Sequence, residues 1–254
     1  MKRYTFEDLV RTMEELRKKC PWDREQTHES LKKYLIEECY EVIDAIDSGE
    51  DERLKEELGD LLLQPVFHAQ IAKERGAFTI EDVIDSLVRK LIERHPHVFG
   101  DARPEDVLKN WEKKKMENRK SVLDGIPKHL PALMRSQKLQ DRASQVGFDF
   151  TDISQVFEKI DEEIRELKES IRKGEKENLK HEIGDILTAV VELARFLGVD
   201  AESALQEAND RFIRRFQYME RKAEEIGRKL EDMSLEEMDM LWEEAKRVLE
   251  GQEG

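Results

Sequence analysis

The sequence predicts an all-α protein built as two tandem helical domains. Three observations predict it. Apolar residues return every three or four positions through most of the chain, charged residues make up 41% of its 254 positions, and the second half repeats the first. The charged fraction stands well above the roughly 25% of an average globular chain. Gly (12) and Pro (6) are scarce, which suits long solvated helices. No alternating run reads as a strand.

In chain order the spacing predicts helices over 5–19, 29–48, 51–75, 79–94 and 104–119 in the first half. In the second half it predicts them over 131–146, 151–173, 176–197, 200–227 and 234–250. Cys20-Pro21-Trp22-Asp23 and Gly100-Asp101 read as turns or irregular connections. Pro65 is expected to kink or interrupt its helix, because it lacks the backbone donor and crowds the preceding turn. Gly125, Pro127 and Pro131 mark the boundary, which gives a first domain over 1–120, a linker over 121–131 and a second domain over 132–254.

A net charge of −15 argues against a nucleic-acid partner, since phosphate backbones demand a basic face. A nucleotide is compatible with it, because carboxylates can hold a divalent cation that in turn holds phosphate oxygens. The two cysteines, Cys20 and Cys39, fit neither a zinc site nor a disulfide framework and read as free thiols of a reducing cytoplasm. No apolar leader follows Met1 and no stretch approaches a membrane span, so no membrane partner is expected.

The repeat is most exact around two groups of acids. Glu37, Glu38, Glu41, Gly49, Glu57, Gly59 and Asp60 pair with Glu162, Glu163, Glu166, Gly174, Glu182, Gly184 and Asp185, always 125 residues apart. Elsewhere the separation drifts. It is 126 for Trp22-Asp23 against Phe148-Asp149, 121 for Lys90 and Arg94 against Arg211 and Arg215, and 131 for Trp111 and Lys115 against Trp242 and Lys246.

Within each pair of acids the spacing is three, so both project from one helical face. Glu41 and Glu57 each lie eight residues from Gly49, and Glu38 and Asp60 each lie eleven from it. In an antiparallel helical hairpin, equal distance from the turn means equal height. Four carboxylates then face one another on two levels roughly 4.5 Å apart, three residues at the helical rise. The second repeat gives the same count around Gly174, with Glu166, Glu182, Glu163 and Asp185.

One glutamate on a helix is ordinarily a solvated charge. Four brought together in each hairpin would repel one another without a cation, and an oxygen-only donor set favours Mg²⁺ or Mn²⁺ over zinc or copper. A di-iron bundle would need a Glu-x-x-His on each of two helices. Only Glu25-Gln26-Thr27-His28 has that spacing, outside the acidic hairpins.

The pattern E-E-x-x-E followed by E-x-x-D, with Cys20-Pro21-Trp22-Asp23 and Arg94-His95-Pro96-His97-Val98-Phe99-Gly100, resembles the MazG family of nucleoside triphosphate pyrophosphohydrolases in its two-repeat form. The resemblance implies tandem MazG-like domains whose acidic hairpins form four-helix bundles in a homodimer. It also implies Mg²⁺-dependent hydrolysis of the α–β phosphoanhydride of nucleoside triphosphates to monophosphate and pyrophosphate.

By position, the metal ligands it implies are Glu38, Glu41, Glu57 and Asp60, then Glu163, Glu166, Glu182 and Asp185. Glu37 and Glu162 match its leading acid and are expected to orient water. Lys90 and Arg94, and Arg211 and Arg215, are the expected phosphate contacts. The resemblance suggests Lys where Arg211 stands, and Arg changes the geometry of that contact. Trp111 and Trp242 stand where an aromatic can stack on a base, with Lys115 and Lys246 beside them, and core packing is the other reading of the two indoles. Trp22 reads as a packing residue, and the run Lys113 to Lys120 reads as a solvated helix end. The competing class is a nucleotide- or metal-binding helical scaffold with one or both repeats non-catalytic. Retention of every acid in both repeats speaks for activity.

Overall fold

The computed structural model describes residues 3–100 and 120–250. Every regular element among them is helical. The helix expected over 104–119, with Trp111 and Lys115, lies outside the described residues. The chain divides into two compact units, Met1–Lys115 and Met116–Gly254.

The N-terminal unit opens with α1 (Phe6–Lys19), started by a capping box in which Thr5 and Asp8 satisfy each other's backbone N–H. A short α2 (Pro21–Glu25) follows, then α3 (Lys32–Ser48), α4 (Asp51–Glu74), α5 (Ile80–Arg94) and α6 (Pro96–Phe99). Residues 21–25, expected as a turn, form one helical turn instead. Pro21 occupies its first position, where the missing N–H costs nothing.

Pro65 does not interrupt α4, which runs unbroken from Asp51 to Glu74. The proline is exposed while Gln64, Val66 and Phe67 on either side are buried. The carbonyl that loses its donor therefore lies toward water, and the packed face holds the helix together. That face, with Met13, Leu31 and Ile80, makes the core, against which Phe6, Leu9, Tyr34 and Leu63 are packed.

Arg17 on α1 secures the segment before α3. Its guanidinium donates to the carbonyls of Asp23 (2.5 Å), Arg24 (3.0 Å) and Gln26 (3.0 Å) and pairs with Glu74 of α4 at 2.6 Å. His28 and His68 add a second tie, Nδ1 to Nδ1 at 2.8 Å.

The C-terminal unit contains α7 (Ala132–Ser144), α8 (Ile153–Lys173), α9 (Lys176–Phe196), α10 (Ala201–Glu225), a 3₁₀ turn at Leu230–Asp232 and α11 (Leu235–Glu250). Helices α8 and α9 form the counterpart of the α3–α4 hairpin, α7 packs on α9 and α10, and α11 packs on α10. Val156, Val191, Ala223 and Ala245 are its most deeply buried apolar residues.

Candidate metal centre in each hairpin

Each hairpin turns on a glycine that the backbone requires. Gly49 closes α3 at φ 70° and Gly174 closes α8 at φ 74°, the left-handed region where a side chain would be strained. With α3 and α4 fixed about Gly49, ligand oxygens of Glu38, Glu41 and Glu57 lie within 4.8 Å of one another. Glu163, Glu166 and Glu182 make the same trio in α8 and α9. Three acids of each expected four thus converge, two from the first helix and one from the second.

The fourth acids stand slightly apart. Asp60 is exposed, and its charge reaches the Glu38 carboxyl. The carboxylate of Asp185 lies 2.9 Å from His181 Nδ1. Of the leading acids, Glu37 is exposed, whereas Glu162 is half-buried and lies 3.2 Å from the Lys159 ammonium.

Electrostatics separates the two trios. Burial, followed by the charges of Asp60 and Glu41, pushes the Glu38 carboxyl above its ordinary 4.5. In the second trio Glu163 is only 5% exposed, yet its Oε1 accepts from Lys159 Nζ at 2.7 Å. Glu182 accepts from the Ser170 hydroxyl at 3.3 Å. Lys159, Ser170 and His181 were missed in reading the sequence. Lys159 was legible in principle, four residues before Glu163 and on the same helical face.

The donor set fits a hard divalent cation. Every converging atom is a carboxylate oxygen, and separations below 4.8 Å bracket those across an octahedral Mg²⁺ site. The remaining expected residues lie on other helices. Lys90 is exposed and Arg94 half-buried on α5. Arg211 lies 3.7 Å from Glu207 on α10. The Arg215 guanidinium sits 5.5 Å from the centre of the Trp242 ring, and Phe212 packs on the same indole at 5.1 Å. Trp242 is therefore half-buried against α10, and Lys246, one turn on, pairs with Glu243 at 2.5 Å.

Fold and site define a class: an all-helical, duplicated protein whose paired hairpins gather carboxylates on facing helices. The model of the MazG nucleotide pyrophosphohydrolase domain matches this chain twice, over residues 26–99 and 151–220. The chain belongs to that family and is a hydrolase acting on phosphorus-containing anhydrides. It is 54% identical over 247 residues to the nucleoside triphosphate pyrophosphohydrolase/pyrophosphatase MazG of Thermotoga maritima, covering 95% of each chain. It is 46% identical over 238 residues to the nucleoside triphosphate pyrophosphohydrolase of Escherichia coli K12, covering 90% of each. A third relative, the uncharacterized protein YabN of Bacillus subtilis, is 50% identical over 254 residues, 96% of this chain and 51% of its own.

Proposed function

We propose that the protein hydrolyses nucleoside triphosphates to the monophosphate and pyrophosphate with Mg²⁺, or Mn²⁺ in its place, held by the acidic hairpins. The observation that carries this reading is the convergence of a carboxylate trio in both repeats of a chain of this family. When bound, the cation neutralises the triphosphate and acidifies a water. Glu38, Glu41, Glu57 and Asp60 would hold it in the first hairpin, and Glu163, Glu166, Glu182 and Asp185 in the second.

Glu37 and Glu162 orient the water that attacks the α-phosphorus, and the carboxylate takes the proton it releases. The new bond joins water oxygen to the α-phosphorus, and the bond from that phosphorus to the bridging oxygen breaks, so pyrophosphate leaves. Lys90 and Arg94, and Arg211 and Arg215, balance the charge of the leaving group. The Trp242 indole offers a face to any base without reading its edge, which suits broad base specificity. Removal of aberrant nucleotides or adjustment of a nucleotide pool in the cytoplasm is the role that follows. Among the described residues no helix is long and apolar enough to cross a membrane.

A homodimer completes this reading. Ile43, Ile46, Leu58 and Leu62 of the first hairpin, and Ile171, Ile183, Leu187 and Val190 of the second, are each about half exposed. Such apolar faces call for cover. Gly59 and Gly184 sit inside α4 and α9, where a Cβ would meet nothing within 4 Å. Glycine weakens a helix interior, and nothing among the described residues requires it there, so the close approach of a partner helix is its natural reason.

Product analysis with a panel of nucleoside triphosphates and Mg²⁺ tests the reading. Monophosphate and pyrophosphate in equal amounts are expected. Release of inorganic phosphate alone, or no metal-dependent turnover, would leave the scaffold reading in its place.

A further inference from the structure

We infer that Lys159 is a built-in counter-ion of the second acidic trio, and that it makes the second hairpin the weaker of two unequal cation sites. The inference rests on the reading of the trios as divalent-cation sites.

Lys159 projects from α8 one turn before the acids. Its Nζ lies 2.7 Å from Glu163 Oε1 and 3.2 Å from Glu162 Oε2. The Glu163 side chain is 6% exposed, so this ammonium is bound to a carboxylate that water hardly reaches. Its counterpart 125 residues earlier is Tyr34, which packs against the core of the N-terminal unit and meets Trp22 edge-on at 6.1 Å.

The neighbouring cation in that unit, Lys33, is held over the Tyr34 ring at 4.4 Å. Among the described residues no ion pair reaches Glu38 or Glu41, and Glu57 has only Arg53 at 3.9 Å. The second hairpin carries two further side-chain contacts. Ser170 and His181 hold Glu182 and Asp185, and the matching positions in the first unit are Ala45 and Glu56.

A dication entering the second trio meets an ammonium at contact distance from one of its ligands, and like charges that close repel. Lys159 must swing away, giving up its bond to Glu163, before that oxygen can coordinate. Among the described residues the first trio has no cation nearer than Arg53, 3.9 Å from Glu57.

The test is Mn²⁺ binding to the full-length chain, read as free Mn²⁺ by electron paramagnetic resonance. Glu166→Gln leaves only the first trio intact and Glu41→Gln only the second, and the first is expected to bind more tightly. Adding Lys159→Met to Glu41→Gln is expected to tighten binding about fivefold, the upper range for an ion pair with one exposed partner. Lys159→Arg should leave binding as it was. Tyr34→Lys disturbs core packing, so Lys159→Met on the exposed stem of the lysine is the deciding variant. Binding unchanged or weakened by Lys159→Met would overturn the counter-ion role while sparing the metal reading. Failure of the wild-type chain to bind Mn²⁺ at all would overturn both.

Discussion

The α3–α4 and α8–α9 hairpins carry the same glutamates at the same distances from a left-handed glycine, yet they relieve carboxylate repulsion differently. In the first, Glu38 carries it: half-buried among Glu41, Glu57 and Asp60, it has its carboxyl pushed above the usual range. The second answers it with side chains, since Lys159, Ser170 and His181 each take one of its acids. Backbone register places the carboxylates, and the residues one turn away decide how much charge is left for a ligand. Duplication has thus kept the geometry of the site while its electrostatics diverged.

Replacing one ligand in each hairpin would strain this comparison most. Glu41→Gln with Glu166→Gln in one chain is expected to lower pyrophosphate release by at least about a hundredfold, beyond the usual cost of disturbing a metal's surroundings. The single variants should differ in the Mg²⁺ concentration giving half-maximal rate, lower for Glu166→Gln than for Glu41→Gln. Identical Mg²⁺ curves would make the hairpins equivalent in spite of Lys159.

Next in size is Gly59→Leu, which fills the space above α4. Self-association in sedimentation equilibrium is expected to weaken on the order of tenfold, the effect of overpacking a close contact. Helix content by circular dichroism should be unchanged. Unaltered association would remove the glycine from the interface.

A third comparison sets His68 against Leu193, its counterpart 125 residues later. Burial, and then the charge of His28, lower the His68 pKa below its ordinary 6.5. A histidine with a depressed pKa is held neutral by the fold. Stability from the pair is therefore present above pH 6.5 and lost as pH falls through the lowered value. Thermal melts of His68→Leu should show less acid sensitivity than wild type between neutral pH and pH 5 or so. An unchanged pH profile would leave the two units equally insensitive.

The smallest effect concerns Glu38. A carboxyl whose folded pKa is raised penalises the fold above that value, and the penalty fades as pH falls toward the ordinary 4.5. In EDTA, Glu38→Gln is expected to raise the melting temperature at pH 7 by no more than about 2–4 °C. That gain should vanish at low pH, and the equivalent change at Glu163 should destabilise, because it removes the buried carboxylate that Lys159 pairs with.

Helix periodicity made most of the elements readable, since each buries one apolar face and begins or ends near a recognisable cap such as Thr5, Thr79, Gly49 or Gly174. The convergence of three acids per hairpin followed from counting outward from the glycines. Residues 21–25 were misread because a one-turn helix has too few positions to show a period. Pro65 does not interrupt its helix because its effect depends on which face it lies on, and only the packed structure reveals that. The His28–His68 tie joins positions forty residues apart and leaves no periodic trace. Lys159 looked like one charge among many until Glu163 proved to be buried.

Turn geometry sets a limit on how this chain can change length. Every acid is placed by its count from Gly49 or Gly174, so one residue added to either arm would swing the carboxylates beyond it by about 100° around the helix. The 125-residue separation holds without a slip from Glu37 to Asp60, while it wanders to 126, 121 and 131 elsewhere. Peptide tags, linkers or grafted loops belong in those wandering stretches. Inside the hairpins, a change of length is a change of chemistry.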